Sequence, residues 1–275
     1  MTRAGSSRRL SGALPACVVA YAPRDRARRL VREALPRRTG RVVIARRPDE
    51  FARLMRSELI DAAIVDLAGG GEDAWEVAAT AGDFPSAPFV ALLSSRAADV
   101  PSLARAAALE CAEACVEGVD DVALPALVEP LRFTTRLAVA LEHPPASLGL
   151  CDPFRASVWW RIVARSGRPT TTTDLAADFR VTREHLSRSF GGPGVPTLKR
   201  VIDLVRVLAA AELAKNPGYD VGDVARVLGF SSSSHLATTT QRIVGARPTS
   251  LARLRAIDLV ERFAAAHVAG GGSCD

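Results

Sequence analysis

The sequence predicts two modules in series: an α/β module built on a doubly wound, five-stranded parallel sheet, then an all-α module in which a pair of short helices occurs twice. Three observations predict this. Apolar runs and helical periodicities alternate five times over the first half, in repeats of about 20–25 residues. His143-Pro-Pro-Ala-Ser-Leu-Gly149 cannot continue a helix and separates the halves. Beyond it, Asp174-Leu-Ala and Asp223-Val-Ala open two similar stretches about 50 residues apart.

In the first half, Ala16-Cys-Val-Val-Ala-Tyr21 reads as a buried strand. Residues 24–35 follow with Ala27, Leu30, Val31, Ala34 and Leu35 at helical spacing. Arg41–Ala45 is the second strand, and Pro48–Glu58 a helix whose Pro-Asp-Glu start suits a first turn. Asp61–Leu67 is the third strand, Gly69-Gly70-Gly71 a flexible turn and 72–81 a helix. The three glycines form neither Gly-x-Gly-x-x-Gly nor a P-loop, which argues against a nucleotide site. Pro88–Leu93 is the fourth strand and 99–108 a helix. Residues 111–116 make the fifth strand, and 120–141 a helix kinked by Pro125 and Pro130. Asp66 and Ser94-Ser95 fall near the carboxyl edge of the sheet, where such folds bind ligands.

This succession resembles the receiver domain of bacterial response regulators over roughly residues 15–132. The resemblance matches Asp66 to the phosphate-accepting aspartate and Ser94 to the hydroxyl after strand four. The rest of the site is replaced. Tyr21-Ala22 stands where receivers hold a metal-binding acidic pair, and Glu117-Gly118 where they hold a lysine. Phosphoryl transfer needs developing charge neutralised, so these losses should disable it. A degenerate receiver follows, unphosphorylated and used for interaction or dimerisation, with Asp66 as a buried or capping residue. The alternative is a phosphorylation-dependent response regulator using Asp66, and a less favoured one is a small-ligand sensor.

In the second half, residues 153–165 form a helix with Phe154, Val158, Trp159, Ile162 and Val163 on one stripe, either core or a docking face. Thr173–Phe179 is a short helix opened by a threonine run, and Thr182–Phe190 a second. Leu175, Ala176, Val181, Leu186 and Phe190 can close their shared core, the spacing of a helix-turn-helix. Thr197–Lys215 is one helix of 19 residues, roughly 28 Å long. The pattern then returns: Val221–Leu228 is a helix, Gly229-Phe230 a turn, and Ser231–Val244 contains the second recognition-type helix. Gly245-Ala-Arg-Pro248 opens the last one.

Two such units joined by a long helix resemble the DNA-binding domain of the AraC/XylS family of transcription regulators, over about residues 170–256. The motifs are Asp174-Leu-Ala-Ala-Asp-Phe179, His185-Leu-Ser-Arg-Ser-Phe190, Arg206 with Ala210, Val224-Ala-Arg-Val-Leu-Gly-Phe230, Ser234-His-Leu236 and Arg247-Pro248. The resemblance assigns base or phosphate contacts to Arg183, Glu184, Ser187 and Arg188 in the first unit. In the second it assigns them to Ser233, Ser234, Ala237 and Thr238, with Arg242 alongside. Arg188 suits bidentate pairing with guanine, and Glu184 can accept from cytosine or repel phosphate. Thr238 replaces a frequent Arg, Thr240 a frequent Phe, and Arg180 a turn Gly, where a positive φ would strain it. The first unit is therefore expected to dominate sequence reading.

The chain has 275 residues, 48% apolar and 24% charged, enough for two ordinary cores. No apolar run approaches the ~20 residues of a membrane helix. Residues 1–145 balance 19 basic against 19 acidic side chains, so the whole net charge of +6 lies in residues 146–275. Within the first half, residues 1–60 sum to +10 and 61–145 to −10, read as solvated surface. Arg8-Arg9 before Leu14-Pro15-Ala16-Cys17 superficially suggests export, but the apolar stretch is short and broken. Cys17, Cys111, Cys115, Cys151 and Cys274 suit reduced thiols, and a cytoplasmic location is expected. No metal, cofactor or catalytic residue is expected, since no acid/base pair and no nucleophile beside a His is apparent. Expected partners are double-stranded DNA, RNA polymerase and a second copy through the α/β module, with no membrane. The expected division is a tail 1–14, a receiver-like domain 15–142, a linker 143–152, a DNA-binding domain 153–260 and a tail 261–275.

Overall fold

The computed structural model describes residues 16–35, 40–69, 71–94, 100–109 and 111–270. The expected N-terminal tail, Gly70, Ser95 and residues 271–275 lie outside the described residues. Among those described, the chain divides into two compact units, one of residues 16–136 with 216–223, the other of 137–215 with 224–270.

In the first unit the strands are β1 (Ala16–Tyr21), β2 (Gly40–Ala45), β3 (Ala62–Asp66), β4 (Phe89–Ser94) and β5 (Glu113–Glu117). All pair in parallel in the order β2-β1-β3-β4-β5, the expected doubly wound sheet. Alternation along the strands feeds two cores. Val19, Tyr21, Ala63, Val65, Phe89 and Ala91 meet helices α2 (Pro48–Ser57), α3 (Gly71–Ala79) and α4 (Val100–Ala108) through Phe51, Met55, Val77 and Ala106. Val18, Ala20, Ile64, Val90 and Leu92 meet α1 (Asp25–Ala34) and α5 (Leu124–Leu131) through Leu30, Val31, Leu124 and Val128. Strand β3 is buried along its whole length because helices cover both faces.

Two local expectations change here. The helix read over 120–141 is two, α5 and α6 (Phe133–Ala140), because Arg132 turns extended at ψ 139° just after Pro130. Asp61, read as the start of a strand, is a buried brace: its carboxylate accepts from Cys17 N at 2.9 Å and Thr134 N at 3.1 Å. It thereby ties the start of β1 to the first turn of α6.

The second unit contains α7 (Pro153–Val163), α8 (Thr172–Phe179), α9 (Arg183–Arg188), α10 (Leu198–Leu213), α12 (Ser233–Val244) and α13 (Ala256–Gly270). A further helix, α11 (Val221–Val227), begins in the segment 216–223 and continues into this unit. The stripe on α7 is core: Val158, Trp159, Ile162 and Val163 are buried, and Trp159 Nε1 donates to Leu141 O at 3.0 Å. Helix α10 has 16 residues rather than the expected 19, about 24 Å. Twelve of those residues are buried, which makes it the spine of the unit rather than an exposed spacer. A 3-10 turn, Pro248–Arg253, separates α12 from α13. The latter extends to Gly270, past the point where a tail was expected from 261.

Candidate functional site

Both recognition-type helices start in the same way. Thr182 caps α9, its hydroxyl accepting from His185 N at 3.1 Å, and Ser232 caps α12, accepting from His235 N at 3.1 Å. Leu186 and Leu236, one position on, are fully buried. Fixing one side of each helix on a leucine leaves the opposite side to solvent. Arg183, Glu184, Ser187 and Arg188 are exposed on α9, and Ser233, Ser234, Thr238 and Arg242 on α12, with Ala237 half-buried. The fold therefore gathers the sequence-expected positions on two exposed helix faces. Helix α8 in front of α9 is held by a capping box, in which Thr171 and Asp174 exchange hydrogen bonds at 3.1 and 2.9 Å. Hydrogen bonding from Thr171, its backbone N–H first and its side chain second, holds the Asp174 carboxyl below its ordinary range.

The turns differ. Phe230 N donates to Ala225 O across Gly229 (φ 64°), and Val181 N donates to Ala176 O across Arg180 (φ 54°). The suspected strain at Arg180 is thus present: a side-chain-bearing residue stands where its counterpart is glycine. Thr240 is fully buried, and its hydroxyl returns to Leu236 O at 2.8 Å. This satisfies the polar atom but leaves little apolar reach.

Cations also differ between the two helices. Arg188 is tethered only loosely, Nε to Glu184 O at 3.4 Å. Arg242 donates to Asp203 on α10 at 2.7 Å, so part of its charge is committed inside the unit. Beside it, Ala237, Thr238, Gln241, Arg242, Arg247 and Pro248 line an open concavity of about 490 Å³. Arg247 belongs to the quoted motif but not to the expected contacts; exposed at this rim, it adds a second cation beside α12. Arg206, another motif residue, works internally, stacking over Phe230 at 3.8 Å and donating to Leu228 O at 3.1 Å.

The carboxyl edge of the sheet holds a closed charge cluster. Asp66 is fully buried at the end of β3. Arg24, three residues beyond β1, donates from Nε to its two oxygens at 2.9 and 3.1 Å and from Nη2 at 2.5 Å. The same guanidinium donates from Nη1 to Glu117 at 3.0 Å, and Arg26 Nε stands 3.0 Å from the other Glu117 oxygen. Hydrogen bonding to Asp66 raises the Arg24 pKa further. Gly69 leaves the path open, since a Cβ there would run into the Arg24 side chain. Sequence reading placed Asp66 and Glu117 at this edge but missed Arg24; an Arg just past a strand is its only sequence signal. Cys115 is buried and Cys111 half-buried, and burial pushes the Cys115 thiol up to about 11.

Residues 175–253 match the family model described as a helix-turn-helix domain. No match was found among curated proteins. Among solved structures, a response regulator from Thermotoga maritima is similar at 18% identity and TM-score 0.37, covering 43% of this chain and 98% of that one. Full-length FixJ from B. japonicum is similar at 12% and 0.38, covering 82% and 96%, and a response regulator protein from Burkholderia pseudomallei at 18% and 0.36, covering 63% and 97%. Overlaps this loose carry no functional argument; the receiver-like topology rests on the strand order itself. Among the described residues no helix is long and apolar enough to cross a membrane. Residues 175–253 therefore form a helix-turn-helix domain, which follows in the chain an α/β unit of receiver-like strand order.

Proposed function

We propose that the chain is a cytoplasmic, sequence-specific transcription regulator that binds duplex DNA through α9 and α12, without catalysis. The observation that supports it best is the pair of identically capped helices, each anchored by one buried leucine and exposing the side chains that suit base edges and phosphates. The functional division is 15–142 for the receiver-like domain, 143–152 for the linker and 153–260 for the DNA-binding domain. Contact with RNA polymerase and pairing of two copies through the α/β unit complete the reading.

The α/β unit is not phosphorylated in this reading. Arg24 already occupies the Asp66 carboxylate, and its exchange for a phosphoryl donor would expose two buried acids at once. Incubation with a small-molecule phosphodonor should give no Asp66-dependent labelling in a comparison with Asp66→Asn. Stable labelling lost in that variant restores the phosphorylation-dependent alternative. Selection of duplexes from a random pool at moderate salt should enrich one motif. Arg188→Ala should then weaken it by about 1–3 kcal/mol, more than Ser234→Ala does. Failure to enrich any motif counts against the whole reading.

A further inference from the structure

Asn216-Pro217-Gly218 looks in the sequence like nothing more than a stop between two helices. In the structure, residues 216–223 belong to the α/β unit although the helices they join, α10 and α11, serve the helix-turn-helix pair. The attachment is dense. Asn216 is 2% exposed; its Oδ1 accepts from Ser86 N at 2.8 Å and its Nδ2 donates to Ser86 Oγ at 2.7 Å. Gly218 N donates to Asp83 O at 2.9 Å. A Cβ on Gly218 would stand 2.7 Å from the Phe84 ring, so the segment lies against that ring as only glycine can. Tyr219 meets Phe84 edge-on at 5.1 Å between ring centres and donates from its hydroxyl to Met55 O at 2.7 Å. Burial raises the Tyr219 pKa, with Asp223 adding to the shift. Asp223, in the first turn of α11, pairs with Arg56 at 3.4 Å.

A slack connection between two DNA-binding helix pairs would need none of this. A buried primary amide bonded at both ends, a glycine fitted to a ring and a phenol seated on a carbonyl fix a backbone rather than tether it. The partners come from α2 and from residues 83–86 ahead of β4, so the clamp reads the position of elements that pack on the sheet. The covalent chain then leads from the clamp straight into α11. We propose that residues 216–223 are the output contact of the α/β unit: by clamping the connection between α10 and α11 it sets the second helix-turn-helix, and a shift of α2 or of residues 83–86 reaches DNA binding by this route. The inference rests on the DNA-binding reading for its consequence, but not for the clamp itself.

The test uses the full chain with Asn216→Ala and, separately, Tyr219→Phe, which removes one hydroxyl and spares the fold. Amide hydrogen exchange over 216–244 should speed up by about tenfold in both, with 172–190 unchanged. Affinity for a selected duplex should fall by about fivefold, and this loss should vanish on a duplex whose second half-site is scrambled. Unchanged exchange over 221–244 in both variants overturns the clamp. Faster exchange with undiminished affinity for the intact duplex overturns its coupling to DNA. If the parent chain selects no duplex, the DNA reading fails while the exchange result still decides the clamp.

Discussion

Arg180 and Arg24 are two arginines in opposite circumstances. Arg180 holds φ 54° and ψ 40° at the end of α8, a conformation that costs an L-residue about 1 kcal/mol. Its side chain is exposed, so nothing visible compensates. Arg180→Gly should therefore raise stability by about 0.5 kcal/mol, after the extra chain entropy of glycine, read as a higher denaturation midpoint at unchanged slope. Arg24 is needed where it stands. Arg24→Met leaves Asp66 fully buried and without its guanidinium, and should destabilise the α/β unit by about 3 kcal/mol in urea. A neutral result for Arg24→Met would mean that the cluster relaxes to take in water. The strain at Arg180 was readable from the motif because turn chemistry is local. The Arg24–Asp66–Glu117 cluster was not, because its members lie 42 and 93 positions apart and meet only when the sheet forms.

Elements show the same division between local and distant causes. Strand positions came through because both faces of the sheet are covered, which forces continuous apolar runs that sequence displays directly. Helix starts came through where a cap residue precedes them, as at Thr182 and in the threonine run before α8. Helix ends were harder. The break at Arg132 and the 3-10 turn after Pro248 are each a tertiary choice between turns that the sequence permits. Helix α8 offers a direct test of one local cause. The Asp174 carboxyl is held below its ordinary value, so its share of stability is full above about pH 4, the unfolded value, and is lost as pH falls through the lower folded one. Thr171→Ala removes its partner hydroxyl and should cost about 1 kcal/mol at pH 7. Asp174→Asn should flatten the part of the acid denaturation curve that this carboxyl supplies. Equal acid sensitivity in Asp174→Asn and the parent would assign that sensitivity to other carboxylates.

Across the whole molecule the charge balance becomes a prediction about salt. The net +6 sits wholly in residues 146–275, yet several of those cations are engaged within the unit. Arg165 and Arg161 pair with Asp178, Arg206 stacks inward on Phe230, Arg255 pairs with Asp258, and Arg242 is partly committed to Asp203. Arg183 and Arg188 on α9 stay exposed, as does Arg247 beside α12. Each cation that neutralises a phosphate contributes about −0.9 to the slope of log affinity against log salt. The double variant Arg183→Ala/Arg188→Ala should flatten that slope by nearly 2 if both meet phosphate. It should flatten it by about 1 if Arg188 reads a base instead. Arg242→Ala should change it by less than 1, because the freed Asp203 was already balanced against it. Titrations of one duplex at several salt concentrations measure all three. A larger flattening from Arg242→Ala than from the α9 double variant would show α12, not α9, to be the main electrostatic anchor, and would reverse the ranking of the two helix-turn-helix units.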